Sequence, residues 1–252
     1  MNPDLNPELE PAGRTATIAD VRANLDDIRA RIRGAGGDPD AVRVLAVTKA
    51  FGPEVARVAL AAGLHDLGEN YAQELVAKDA ALRSDRARDP AGEQGDRPHP
   101  AVVAPTWHFL GRLQTNKVRS LAGIVGLWQS VDRVELVRQL ASRAPGASIL
   151  VQINLSGEEQ KGGCTFDDAP ALVAAAQTEG LAVRGLMGVA PAGPPDATRP
   201  GFTRLVAIAD ELGLRERSLG MSDDFEVAVQ EGSTMIRIGR GLFGPRPPRE
   251  VT

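Results

Sequence analysis

The chain of 252 residues is 42% hydrophobic and 25% charged, with a net charge of −4 and only 4% aromatic residues. Such a balance offers no basic, aromatic-interleaved surface for nucleic acid and no cationic patch for an anionic membrane. The single cysteine, Cys164, excludes an internal disulfide and a multi-cysteine metal site, and fits a reducing cytoplasm.

The opening "MNPDLNPELEPAGRTATIAD" contains acids and prolines but neither a basic start nor an apolar run, so it does not read as a secretory signal. No apolar segment approaches the roughly 20 residues that span a bilayer, and a cytoplasmic location is expected. Residues 1–15 are expected to form a disordered tail. Ile18, Val21, Leu25, Ile28 and Ile32 then recur at spacings of three and four, which predicts an amphipathic helix closed by Gly34, Gly36 and Gly37.

Short apolar, β-branched runs follow in alternation with helical patterns. The predicted strands are "RVLAVTK" (43–49), "HDLGEN" (65–70), "TWHFLG" (106–111), "GLWQSVD" (126–132), "SILVQINL" (148–155), "VRGLMGVA" (183–190), "RSLGMS" (217–222) and "MIRIGR" (235–240). Helices are predicted to begin near Pro53, Tyr71, Gln114, Arg133, Phe166, Thr203 and Asp223. Eight strands separated by helices form the pattern of a parallel sheet, and eight is the number that closes a (β/α)8 barrel; a doubly wound open sheet is the competing architecture. The barrel is placed over residues 16–247. Polar, Pro- and Gly-rich residues 84–105 are read as a flexible insertion, and 191–200 as a long loop on the side where barrel active sites lie.

Functional groups of such barrels stand at the C-terminal strand ends. Here these ends include Lys49, Glu69, Asn70, His108, Asp132, Met221, Ser222, Arg237 and Arg240. A lysine ending an apolar strand is ordinarily a solvated strand end, but at the mouth of an apolar barrel desolvation favours its neutral amine, which can form a Schiff base with a carbonyl. Ser222 suits a helix N-cap, with Asp223 and Asp224 in the first turn; the alternative is a serine facing a phosphate. "GRGLFG" (239–244) has the spacing G-x-G-x-x-G, yet "PRPPREVT" follows it, so a dinucleotide fold is not expected. Gly239 and Gly241 instead permit N–H groups to approach an oxyanion, and barrels often build a phosphate site from the loops after strands seven and eight.

His65, His108 and Cys164 are too few and scattered for a metal site, and no G-x-S-x-G elbow supports a serine nucleophile. Glu69 and Asp132 as paired glycosidase carboxylates leave the lysine and the phosphate turn unexplained. A barrel with a Schiff-base lysine and a phosphate cradle points to pyridoxal 5′-phosphate, while a cofactor-free aldolase remains an alternative.

The segments "LAVTK", "GENYAQE", "WHFLGRLQTNK", "SVDR", "VQIN", "GLMGVAP", "LGMSDDFEVAVQEGSTMIRIG" and "LFGPR" together resemble the YggS/PROSC family of pyridoxal phosphate homeostasis proteins, in consistent order from Ile18 to Arg246. The resemblance implies a single (β/α)8 barrel of the alanine racemase N-terminal domain type, with pyridoxal 5′-phosphate held as a Schiff base on Lys49. It also implies Asn70 near the cofactor ring, Met221 among the cofactor-binding residues, and Ser222, Gly239 and Arg240 around the phosphate. Arg237 would face the pyridine nitrogen, and His108 to Gly111 would line the same mouth.

Arg240 departs from the threonine usual in the family, so a hydroxyl contact is missing and a guanidinium stands in its place. Arg237 cannot accept a proton from the ring nitrogen and opposes its protonation, which damps carbanion chemistry. No room for a racemase-type second domain is expected after the barrel. The resemblance therefore implies a non-catalytic carrier in vitamin B6 homeostasis, monomeric, with cofactor-dependent apoenzymes as possible recipients. A racemase-like enzyme acting on a small amino acid is the alternative.

Overall fold

The computed structural model describes residues 15–88, 104–158, 162–191 and 193–245. The expected tail lies outside these residues apart from Thr15, as does most of the expected insertion. Strands β1 (Arg43–Val47), β2 (Asp66–Glu69), β3 (Thr106–Phe109), β4 (Val125–Val131), β5 (Ser148–Asn154), β6 (Ala182–Val189), β7 (Glu216–Met221) and β8 (Met235–Ile238) pair in sequence order, all parallel. β8 returns to β1, with Val44 opposite Ile236 and Ala46 opposite Ile238, and closes the barrel. The expected (β/α)8 architecture is the one observed, and the open sheet is excluded.

Helices α1 (Ile18–Gly34), α2 (Pro53–Ala61), α3 (Ala72–Arg88), α4 (Val118–Leu121), α5 (Val134–Arg143), α6 (Ala169–Thr178), α7 (Arg199–Glu211), α8 (Phe225–Gln230) and α9 (Arg240–Phe243) flank it. Thr17 and Asp20 form a capping box at the start of α1, satisfying two N–H groups that the first turn leaves without helical partners. Val21, Leu25, Ile28 and Ile32 are buried, whereas Ile18 is exposed because it lies in the first turn beyond the packed stripe. Among the described residues no helix is long and apolar enough to cross a membrane.

Two predicted loops are shorter than expected. α3 continues through Ser84 to Arg88, because "RSDRAR" holds no helix breaker and is braced by Arg83–Asp79 and Arg57–Asp85 ion pairs at 2.6 Å. The loop after β6 contains a 3-10 turn at Pro195–Thr198 and ends where α7 begins at Arg199, four residues before the predicted start. Pro200 does not stop α7, since a proline in the first turn removes an N–H that has no helical partner anyway.

Strand side chains alternate with period two. One set, including Ala46, Trp107, Phe109, Trp128, Leu186 and Ile236, packs against the helices in one continuous core. The other set points into the lumen, where Leu45, Leu127, Leu150, Met187 and Met235 cluster. A Cβ at Gly68 would stand 2.8 Å from Leu110 Cδ1 and 3.4 Å from Leu45, so this glycine makes room for the two leucines.

Candidate functional site

Above the lumen cluster the C-terminal mouth opens into a cavity of about 410 Å³. It brings together Lys49 after β1, Asn70 after β2, Met221 and Ser222 at the end of β7, and Arg237, Gly239 and Arg240 at the end of β8. Val47, Leu110, Met187 and Val189 form its apolar floor and wall. The lining also carries Arg112 and Gln152. Among the described residues its only carboxylate is Asp223, whose Oδ2 accepts from Arg240 Nη2 at 2.8 Å. With Lys49, Arg112 and Arg237 added, the lining is strongly cationic and suited to an anion.

Two turns converge on one side of this cavity. β8 leads into Gly239, where a Cβ would lie 3.2 Å from the carbonyl oxygen of Val47, and the chain enters the single helical turn α9. That turn lies within "GRGLFG" itself: the Leu242 and Phe243 N–H groups donate to Gly239 O and the Gly244 N–H donates to Arg240 O. Ser222 Oγ approaches to 3.7 Å of the position a Cβ on Gly241 would take, so the β7 and β8 turns meet. Gly220 supports this arrangement at φ +89, where any side chain would also press into Phe225. Ser222 is not the N-cap of α8. That position belongs to Asp224, whose Oδ1 accepts from the Met221 N–H at 2.6 Å and fastens the turn from below. Burial pushes the Asp224 carboxyl above its ordinary range, with the Met221 N–H and the charge of Arg237 opposing it.

Arg237 is held from two sides. Its Nη1 donates to Ser218 O at 2.5 Å and to Ser218 Oγ at 2.9 Å, and Nη2 donates to Gly188 O at 2.7 Å. Burial lowers its pKa to about 10, with Asp224 opposing the shift. Arg237 is thus a fixed cation at neutral pH. Asn70 packs against the end of β3 where Gly111 has no side chain, since a Cβ there would overlap the Asn70 carbonyl. Its buried side-chain oxygen Oδ1 has no hydrogen-bond partner among the described residues, the mark of an acceptor awaiting a ligand or water.

Comparison with known proteins bears on the family and the fold. The family profile described as "Alanine racemase, N-terminal domain" matches residues 17–247. A pyridoxal phosphate homeostasis protein of Pseudomonas aeruginosa is 39% identical over 241 residues, covering 91% of this chain and 97% of that one. The chain belongs to the pyridoxal phosphate homeostasis protein family. A second member of the family, from Aquifex aeolicus, is 36% identical and covers 88% of this chain and 95% of its own. The solved structure of PipY from Synechococcus elongatus with pyridoxal phosphate bound superposes with a TM-score of 0.74 at 30% identity, covering 89% of this chain and all of that one.

Not every strand-end residue expected at the family's mouth is there. His108 is fully buried in the N-terminal half of the lumen, where Nε2 meets Asp66 Oδ1 at 2.9 Å and Nδ1 accepts from Gln129 Nε2 at 2.7 Å. The reason is the pleat: Leu110, two residues on, takes the inward position at mouth level. Glu69 faces outward beneath α3, and Asp132 bonds Arg133 at 2.5 Å, so neither lines the cavity and they form no catalytic pair. Burial pushes the Cys164 thiol up to about 12, which disfavours the thiolate at neutral pH. Gln152 and Arg112 were absent from the expected set. Gln152 was readable as the next inward residue after Leu150, whereas nothing in the sequence marks Arg112 beyond its place after "WHFLG".

Proposed function

We propose that this chain binds pyridoxal 5′-phosphate in the mouth cavity, with Lys49 as the attachment residue, and serves vitamin B6 homeostasis without turning over a substrate. The observation that carries the reading is the convergence of an amine, a fixed guanidinium and two glycine-supported turns on one cationic cavity. The curated relatives' names and the ligand in the PipY structure support it. The cavity volume of about 410 Å³ and the unpartnered Asn70 oxygen fit a small polar ligand.

Pyridoxal 5′-phosphate supplies an aldehyde that condenses with a primary amine, releasing water, together with an electron-withdrawing ring and a dianionic phosphate. Lys49 brings a primary amine to the cavity lining, which also holds the apolar Val47 and Leu110. Ser222 and the N–H groups of the Gly239–Arg240 turn would receive the phosphate, and Arg240, tied to Asp223, would add charge there. In this reading His108 does not touch the cofactor.

Arg237 argues against turnover. As a permanent cation bonded to Ser218 and Gly188, it opposes protonation of a pyridine nitrogen facing it and weakens the ring as an electron sink. Besides Lys49 and the paired Asp223, no described residue of the lining can act as a base. Recipients of the cofactor would be cofactor-dependent apoenzymes. Incubating loaded protein with L- and D-alanine and following configuration by chiral chromatography tests the reading: no inversion beyond the protein-free control is expected, and sustained racemisation overturns it.

A further inference from the structure

Lys49 sits inside an unusual stretch of backbone. The next residue, Ala50, is the only described non-glycine with a positive φ, at 65°. A side-chain-bearing residue keeps that conformation only where its surroundings over-determine it. Here they come from one helix, α3. Glu74 Oε2 accepts from the Ala50 N–H at 2.9 Å, and four residues on, Lys78 Nζ donates to the Thr48 carbonyl at 2.8 Å. The residues immediately before and after Lys49 are therefore both gripped by charged side chains of the same helix face.

The grip is anchored in the interior. Lys78 also donates to Glu69 Oε1 at 2.5 Å, Thr48 Oγ1 donates to that same oxygen at 2.6 Å, and Glu74 lies 3.6 Å from Lys78. The Glu69 side chain is 0% exposed and that of Lys78 3%. A buried ion pair of this kind is seldom worth more than apolar packing of the same volume, so its presence calls for a role in fixing geometry. None of Glu69, Glu74 and Lys78 lines the cofactor cavity.

We propose that Glu74, backed by Lys78 and Glu69, is a positioning residue for the cofactor lysine: it holds Ala50 in the left-handed conformation and so keeps Lys49 aimed into the cavity. The inference rests on the assignment of Lys49 as the attachment residue. Glu74 acts through the backbone and never touches the ligand. Glycine at position 50 adopts a positive φ without steric cost and makes the clamp largely dispensable.

The test compares apoprotein of the wild type, Glu74→Ala, Ala50→Gly and the double variant by titration with pyridoxal 5′-phosphate, following cofactor absorbance, and by amide hydrogen exchange without cofactor. Glu74→Ala is expected to weaken cofactor binding about tenfold, the equivalent of one charge-assisted hydrogen bond. It should also speed exchange at Ala50, and the double variant should regain most of the affinity. An unchanged affinity in Glu74→Ala, or a loss that Ala50→Gly does not restore, overturns the proposal. If Glu74→Ala does not fold, the wild type still decides, because an unprotected Ala50 amide contradicts the clamp and a protected one supports it. Borohydride trapping on the wild type separates the two readings. An adduct away from Lys49 removes the attachment assignment, whereas an adduct on Lys49 with unaffected variants removes only the role of Glu74.

Discussion

The two halves of the barrel lumen both carry polar groups beside the apolar cluster, yet these groups are satisfied in different ways. In the N-terminal half, Asp66, His108, Gln129, Ser218 and Met235 form a closed network. Gln129 Nε2 serves His108 and the Met235 sulfur, and Gln129 Oε1 accepts from Ser218 Oγ at 2.7 Å. At the mouth, Lys49, Arg112 and Arg237 share a cavity whose one described carboxylate is already bonded to Arg240. A closed network inside a barrel stabilises a single packing, while an excess of one charge in a cavity is an instruction about the ligand. Ser218 belongs to both, since its oxygens also receive Arg237, so the lower network fixes the cation that the upper half presents.

The largest effect should come from breaking the lower half. Gln129→Leu leaves His108 Nδ1 without its donor and the Ser218 hydroxyl proton without its acceptor, while Ser218 Oγ keeps Arg237, and about 2–4 kcal/mol should be lost in denaturant unfolding. The folded protein should still take up cofactor, and loss of uptake at full foldedness would show that the lower network also sets the binding site. Next, Ser222→Ala removes a hydroxyl from the mouth without uncovering a buried group. It should weaken pyridoxal 5′-phosphate binding about tenfold in titration while leaving unfolding stability nearly unchanged. Equal affinity of variant and wild type would remove Ser222 from the phosphate end.

The smallest effect belongs outside the lumen altogether. Arg31 bonds Glu226 at 3.0 Å and lies over the Phe225 ring. That hydrogen bond, aided by the guanidinium charge, holds the Glu226 carboxyl below its ordinary value of 4.5. A depressed carboxyl contributes stability above its unfolded pKa and loses it as pH falls through the folded value. Glu226→Gln should therefore cost about 0.5 kcal/mol or less at neutral pH, the pair being half exposed and screened, and nothing in strong acid. Denaturant midpoints at several pH values check this.

Much of the fold is legible in the sequence because β-branched runs and helical periods alternate cleanly from "RVLAVTK" to "MIRIGR". Helix ends are less so: α3 outlasts its apolar pattern through ion pairs, and α7 carries in its first turn a proline that reads as a breaker. At the site, the grouping of Lys49, Ser222, Arg237 and Gly239 follows from the rule that barrel strands end at the mouth. The placement of His108 does not, because reading all strand ends as one set ignores the two-residue pleat that separates it from Leu110. The clamp at Ala50 is likewise illegible, since Glu69, Glu74 and Lys78 look like ordinary charges of a helix and a strand end until the fold stacks them behind Thr48.

The central claim is that Lys49 carries the cofactor, and the direct measurement is borohydride reduction of protein loaded with pyridoxal 5′-phosphate, followed by peptide mass mapping of the wild type and Lys49→Ala. One reduced adduct is expected on the peptide containing Lys49 in the wild type and none in the variant. An adduct that persists at full yield in Lys49→Ala, or that maps to another lysine in the wild type, would contradict it.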